Sequence, residues 1–257
     1  MTIRLRREPP RFRSAVVQRS QPLSPWLVRV TLAGPDLEGF TVEQPAASVR
    51  LLLPSPPSGS GELVMPAWNG NEFLLPGGLR PVIRTLTPVR ADGDAGELDG
   101  DVVLHGEGAA SQWARGAAPG VAAAVSGPGR GYAIDGSAPA FLLAGDESAI
   151  PAIRQLLGVL PAATPVEVLI EVAHPDARLD GVPARWLDLP SGADPGDALV
   201  AGVRDAELVD GTNIWVAGEA AAVQRIRRHL FEERGVPRQQ ATVRGYWKRG
   251  RAGEVEA

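Results

Sequence analysis

The chain has 257 residues, 44% of them hydrophobic and 22% charged, with a formal net charge of −4. At roughly 150 residues per domain, that length fits one large domain or two compact ones, each able to bury a core. The absence of cysteine excludes disulfide scaffolds, thiolate metal sites and cysteine nucleophiles, and the acidic balance argues against general nucleic-acid binding.

The N-terminus, MTIRLRREPPRFR, is basic but lacks the apolar stretch of a secretory signal. With the missing cysteines, this leads us to expect a cytoplasmic protein. No apolar run approaches the ~20 residues of a membrane span. Phe12 to Arg19, Trp26 to Leu32 and Val49 to Leu53 then read as short strands with β-branched or aromatic residues and bounding Pro or Gly. The PSPPSGSG stretch after Leu53 opens a weakly patterned segment that runs to Gly78, either a functional flap or a tolerated insertion. Strands resume at Val82 to Arg90, Asp101 to His105 and Val121 to Val125, with a short helix over Ala109 to Arg115. A run of short strands predicts an antiparallel barrel or sandwich.

From Ala140 onward the rhythm changes to strand–helix alternation. Ala140 to Ala144, Val166 to Val172, Ile214 to Ala217 and Val243 to Trp247 read as strands. Ile150, Ile153, Leu157 and Leu160 recur at helical spacing, a weaker helix lies near Asp197 to Val203, and an amphipathic one spans Ala220 to Arg234 before Gly235 and Pro237. Such alternation predicts a parallel sheet with right-handed crossovers. The domains should divide within Asp135 to Pro139, giving 1–135 and 139–257.

Chemistry-bearing residues are few. The histidines, His105, His174 and His229, show no metal-ligand spacing, so no metal site is expected. The one lysine, Lys248, follows Trp247 rather than a glycine, which excludes a phosphate-cradling P-loop, and no G-x-S-x-G elbow occurs. Two predicted strands end in glycine turns that open helices, LLAGDESAIP and WVAGEAAA. Backbone N–H groups there would point at one crevice, although the same turn is the ordinary way from strand to helix. In the first half, Arg84 on a strand and Ser111 at a helix start could grip a diphosphate from two sides. Taken singly, each is equally an ordinary surface or first-turn residue.

At this point the chain resembles the siderophore-interacting proteins, flavin-dependent ferric-siderophore reductases within the ferredoxin-reductase-like superfamily. SPWLVRVTLAGPDLEGF is similar to the family's opening strands, and RTLT stands in place of its Arg-x-Tyr-Ser/Thr flavin motif. DVVLHGEGAASQWARGAAPG resembles its histidine-ended strand and pyrophosphate loop. LLAGDESAIPAI and WVAGEAAAVQRIRRHL…GYWKRG resemble its GDE turn, AGE turn and terminal GYW. Two departures stand out: Leu86 replaces the family's tyrosine, and Val121 occupies the usual place of an aspartate.

The resemblance implies a two-domain ferredoxin-reductase-like fold: an antiparallel β-barrel holding FAD, then an α/β domain with a parallel sheet. It implies FAD contacts from Arg84, Thr85, Leu86, Thr87, His105, Gly108, Ser111 and Trp113. A nicotinamide donor, NADH or NADPH, would lie against Gly145, Asp146, Glu147, Ser148 and Pro151 with Ala217, Gly218 and Glu219. The substrate, an anionic ferric siderophore, would meet Arg130, Lys248 and Arg249. No side chain is expected to act as a catalytic acid or base, because the cofactor carries the redox chemistry. Ferredoxin stands as another electron source, and a monomer is the default. Two other readings stay open: a siderophore-binding module with weakened flavin chemistry, motivated by Leu86, and a flavin reductase with a different acceptor.

Overall fold

The computed structural model describes residues 11–55, 61–104 and 108–250. The chain divides into two compact units, one built chiefly from residues up to Gly131 and one from Tyr132 onward, with Ser24–Trp26 grouped with the second.

The first unit carries β1 (Arg13–Ser24), β2 (Leu27–Ala33), β3 (Val49–Leu53), a minor pair β4 (Ala67–Trp68) and β5 (Phe73–Leu74), β6 (Val82–Leu86), β7 (Pro88–Asp92), β8 (Glu97–Val103), α1 (Ala109–Arg115) and β9 (Ala122–Ser126). Seven of these strands form an antiparallel half-barrel in the order β6-β3-β9-β1-β2-β8-β7. Val82 to Arg90, expected as one strand, is two. Pro88 has no N–H to continue the ladder, and the chain breaks at Thr87, sending β6 and β7 to opposite edges of the sheet. Strand alternation separates interior from exterior on β8. Leu98 and Val102 join Val30, Leu32, Val49, Leu51, Leu53 and Trp113 in the core. Asp99 and Asp101 lie on the other face. There Arg29 grips Asp101 through Nε (2.7 Å) and Nη2 (2.9 Å), and Asp99 accepts from Thr31 (2.5 Å) and Arg90 (3.1 Å). Each carboxylate therefore has its hydrogen-bond partners.

The second unit contains β10 (Phe141–Asp146), α2 (Ile150–Val159), β11 (Val166–Val172), β12 (Arg185–Asp188), α3 (Asp197–Asp205), β13 (Asn213–Glu219), α4 (Ala220–Arg228) and β14 (Ala241–Trp247). Its strands pair parallel in the order β12-β11-β10-β13-β14. Every residue of β10 and β13 is buried, as befits strands covered on both faces. Leu199, Val203, Val223 and Ile226 from α3 and α4 pack on Leu142, Ala144, Ile214 and Val216. The alternate residue Gly145 turns toward Ala149 and Ile153 at and beyond the start of α2. The helix expected to reach Arg234 stops as α4 at Arg228 and widens into a π-helical turn over His229–Glu233. The edge strand β12 has no counterpart in the sequence reading, because its four residues, exposed at both ends and half-buried between, carry no alternation.

The strand order reverses between β10 and β13. Ligands of open parallel sheets gather outside the carboxyl ends at such a switch point, and the GDE and AGE turns end these two strands.

Candidate functional site

In the first unit the register places Arg84 opposite Leu51 and Leu86 opposite Val49, so both face the half-barrel's inner side. Thr85 pairs with Arg50, is exposed, and belongs to the other face, apart from these two. The Arg84 guanidinium is half-buried and donates to the Ile83 carbonyl at 2.7 Å. Among the described residues it meets no carboxylate, and burial lowers its pKa from the ordinary arginine value. A partly desolvated cation without a counter-ion is suited to receive an anion.

The start of α1 follows the same logic. Gly108 is its N-cap and no side chain among the described residues caps it, so the helix start has no internal acceptor of that kind there. A Cβ at Gly108 would meet nothing within 4 Å, so space there is open. Ser111 is 1% exposed and its hydroxyl donates to the Val103 carbonyl at 3.2 Å, tying α1 to β8. Trp113, expected beside the cofactor, is a core residue at 1% exposure. It lines a cavity of about 10 Å³ with Leu86, Gly100 and Val102. Its periodic place on a short helix looks the same from sequence whether it packs or binds. Thr87 is buried. His105 lies outside the described residues. Arg84, which meets no carboxylate among the described residues, and the open helix start fit the diphosphate of FAD.

In the second unit the GDE and AGE residues converge. A Cβ on Gly145 would sit 2.4 Å from the Ala149 Cβ and 2.8 Å from the Ala217 carbonyl; one on Gly218 would sit 2.8 Å from Asp146 Oδ2. Both glycines are therefore required by the close approach of the two turns. Three N–H groups of the turns, expected to face a ligand, are bonded within the protein. Ser148 N–H donates to Asp146 (3.0 Å), and Ala221 and Ala222 donate to Glu219 (2.6 and 3.0 Å). Glu171, which the sequence reading missed, accepts from Gly196 (2.6 Å) and Leu199 (2.8 Å) at the start of α3. It sits in the apolar run VEVLIEV, where a single inward glutamate was the available signal. Glu147 accepts from Ala173 N–H at 2.6 Å. Burial pushes its carboxyl up to about 7, against the pull of that bond and with the help of the neighbouring Asp146. Pro151 is buried in the first turn of α2, and Ala217 is buried in β13.

Of the expected substrate cations, Arg130 is exposed in the first unit, and Lys248 and Arg249 are exposed at the end of β14 in the second. Arg249 pairs with Asp194. Lys248 has no ion-pair partner among the described residues.

Comparison with known proteins decides the family. Residues 16–132 match the siderophore-interacting FAD-binding domain and residues 138–250 match the siderophore-interacting protein model. The chain belongs to the siderophore-interacting protein family. It is 31% identical to a ferric vibriobactin reductase of Vibrio cholerae, over 92% of this chain and 89% of that protein. It is 32% identical to an NADPH-dependent ferric-chelate reductase of Escherichia coli, over 92% and 93%. A siderophore utilization protein from T. fusca has a similar structure, with TM-score 0.82, 33% identity and coverage of 96% and 97%. A ferredoxin reductase of carbazole 1,9a-dioxygenase shares the fold at TM-score 0.64 and 16% identity, covering 93% of this chain and 70% of that one. The architecture is thus ferredoxin-reductase-like, and no described helix is long and apolar enough to cross a membrane.

Proposed function

We propose that this protein is a cytoplasmic, FAD-dependent ferric-siderophore reductase. The observation that carries the reading is Arg84, a half-buried guanidinium with no carboxylate partner among the described residues, on the unit that matches an FAD-binding domain. Arg84 and the N–H groups at the start of α1 bind the FAD diphosphate. Leu86 offers the ring apolar cover without a hydroxyl, and Thr87 borders it. Bound FAD supplies the conversion of a two-electron hydride into single electrons. One NADH or NADPH then reduces two chelated Fe(III) to two Fe(II), yielding the oxidised nicotinamide and a proton. Hard oxygen chelators hold Fe(II) less tightly, so reduction frees the iron. Lys248, Arg130 and Arg249 attract the anionic chelate through long-range charge.

The donor is NADH or NADPH lying over Gly145–Ser148, Pro151 and Ala217–Glu219. A ferredoxin is the second reading, favoured by one observation: the N–H groups at these turns are occupied by Asp146 and Glu219. The purified protein should be yellow or bind added FAD. Anaerobic NADH or NADPH should bleach it, and a ferric siderophore should restore the colour while Fe(II) appears in a colorimetric trap. A colourless protein that takes up no FAD would overturn the reading; bleaching by reduced ferredoxin alone would identify the donor.

A further inference from the structure

The carboxylates of the GDE and AGE turns each divide their two oxygens in the same way. Asp146 Oδ1 serves its own turn, accepting from the Ser148 N–H (3.0 Å) and hydroxyl (2.5 Å). Asp146 Oδ2 accepts from the Glu219 N–H at 3.0 Å and from the indole of Trp247 at 2.7 Å. Glu219 Oε2 caps α4, while Glu219 Oε1 accepts from the backbone N–H of Arg249 at 3.3 Å. Helix capping needs only one oxygen from each residue. The second oxygen in both cases reaches the same short segment at the end of β14.

Trp247 is half-buried, and Lys248 to Gly250 are exposed. The Arg249 guanidinium is drawn off to Asp194, which leaves Lys248 between two tethered neighbours. Asp146 is itself buried, and its hydrogen-bond donors among the described residues are the neutral groups of Ser148, Glu219 and Trp247. A buried acceptor of this kind holds its donors strongly, since releasing one would leave it unsatisfied.

We propose that Asp146 and Glu219 are positioning residues that fix the Trp247–Arg249 segment, and with it the Lys248 ammonium, for the anionic ferric chelate. The chelate part rests on the function proposed above; the anchoring part does not.

The test uses the FAD-loaded full chain with an isotope-labelled indole at Trp247, identified by its loss in Trp247→Phe. Asp146→Asn keeps the side-chain shape but removes one acceptor. The Trp247 indole resonance should shift upfield, and its hydrogen exchange should speed up about tenfold, as for loss of a buried hydrogen bond. An unchanged resonance would overturn the anchor. Equilibrium dialysis against ferric citrate gives the second readout. Asp146→Asn and Trp247→Phe should each weaken binding several-fold, and the double variant should be no weaker than the worse single one. Additive losses would overturn action through Trp247. Should Asp146→Asn fail to fold, Trp247→Phe with Glu219→Gln provides the same cycle. If the unaltered protein binds no ferric citrate, the chelate part falls with the proposed function, while the indole result still decides the anchor.

Discussion

The indole N–H of Trp247 donates to Asp146 Oδ2 at 2.7 Å, joining residues 101 apart in sequence. This bond links the end of the first parallel strand of the second unit to the end of its last. The GDE turn and the GYW terminus are therefore parts of one hydrogen-bonded structure at the carboxyl edge of the sheet.

Arg84→Ala should weaken FAD binding. Loss of charge-assisted hydrogen bonds worth about 1.5–3 kcal/mol corresponds to roughly 10–100-fold in Kd. Titration of FAD fluorescence against the apoprotein measures it. Because Arg84 lies at the sheet edge and, among the described residues, bonds the Ile83 carbonyl and no carboxylate, the melting temperature without FAD should hardly move.

Position 86 separates packing from flavin contact. Leu86→Ala enlarges the cavity beside Gly100 and Trp113 and should cost about 2 kcal/mol. Leu86→Tyr overfills the same space, where Leu86 already lies 3.2 Å from the place of a Cβ on Gly100, at a cost of about 1–3 kcal/mol. Yet Leu86→Tyr should raise flavin retention by adding a ring and a hydroxyl. Unchanged retention after gel filtration would count against flavin contact at this position.

Lys248→Ala should raise the half-saturating concentration of an anionic ferric chelate about fivefold, the equivalent of roughly 1 kcal/mol for an exposed charge. The difference from the unaltered protein should shrink at high salt, because an exposed pair is screened. Steady-state kinetics at two ionic strengths tests both points.

Glu147 makes stability depend on pH. Burial, then the proximity of Asp146, lifts its carboxyl from 4.5 to about 7 despite the Ala173 hydrogen bond, and Glu171 adds to the repulsion. The folded protein therefore keeps a proton that the unfolded chain has released. This contribution to stability is complete below the unfolded value and is lost as pH rises through about 7. Glu147→Gln keeps an acceptor for the Ala173 N–H and removes the titration. It should melt higher than the unaltered protein at about pH 8 and show no such advantage near 4.5. A constant difference across that range would contradict the assignment.

Gly145→Ala should be among the more damaging single methyl additions in the second unit. Its Cβ would fall 2.4 Å from the Ala149 Cβ and 2.8 Å from the Ala217 carbonyl. Overpacking of this kind costs about 1–3 kcal/mol, readable as a lower denaturant midpoint.

Much was legible in the sequence because it is local. Alternation in LVRVTLA, the apolar runs FLLA and VEVLIEV, and the spacing of Val223, Ile226 and Leu230 follow directly from strand and helix periods. Those periods predicted an antiparallel barrel or sandwich followed by a parallel sheet, and the order of the motifs pointed to the family. What the tertiary structure alone decided concerns partners distant in the chain. No pattern announces that β6 and β7 part at Pro88 to opposite edges, or that Trp113 turns inward while Arg84 is left without a carboxylate among the described residues. Likewise, the carboxylates of two separate turns reach the same terminal segment only because β10, β13 and β14 stand side by side. Hydrogen-bond partners are chosen by proximity after folding, and proximity across 73 or 101 residues comes from strand order rather than from local spacing.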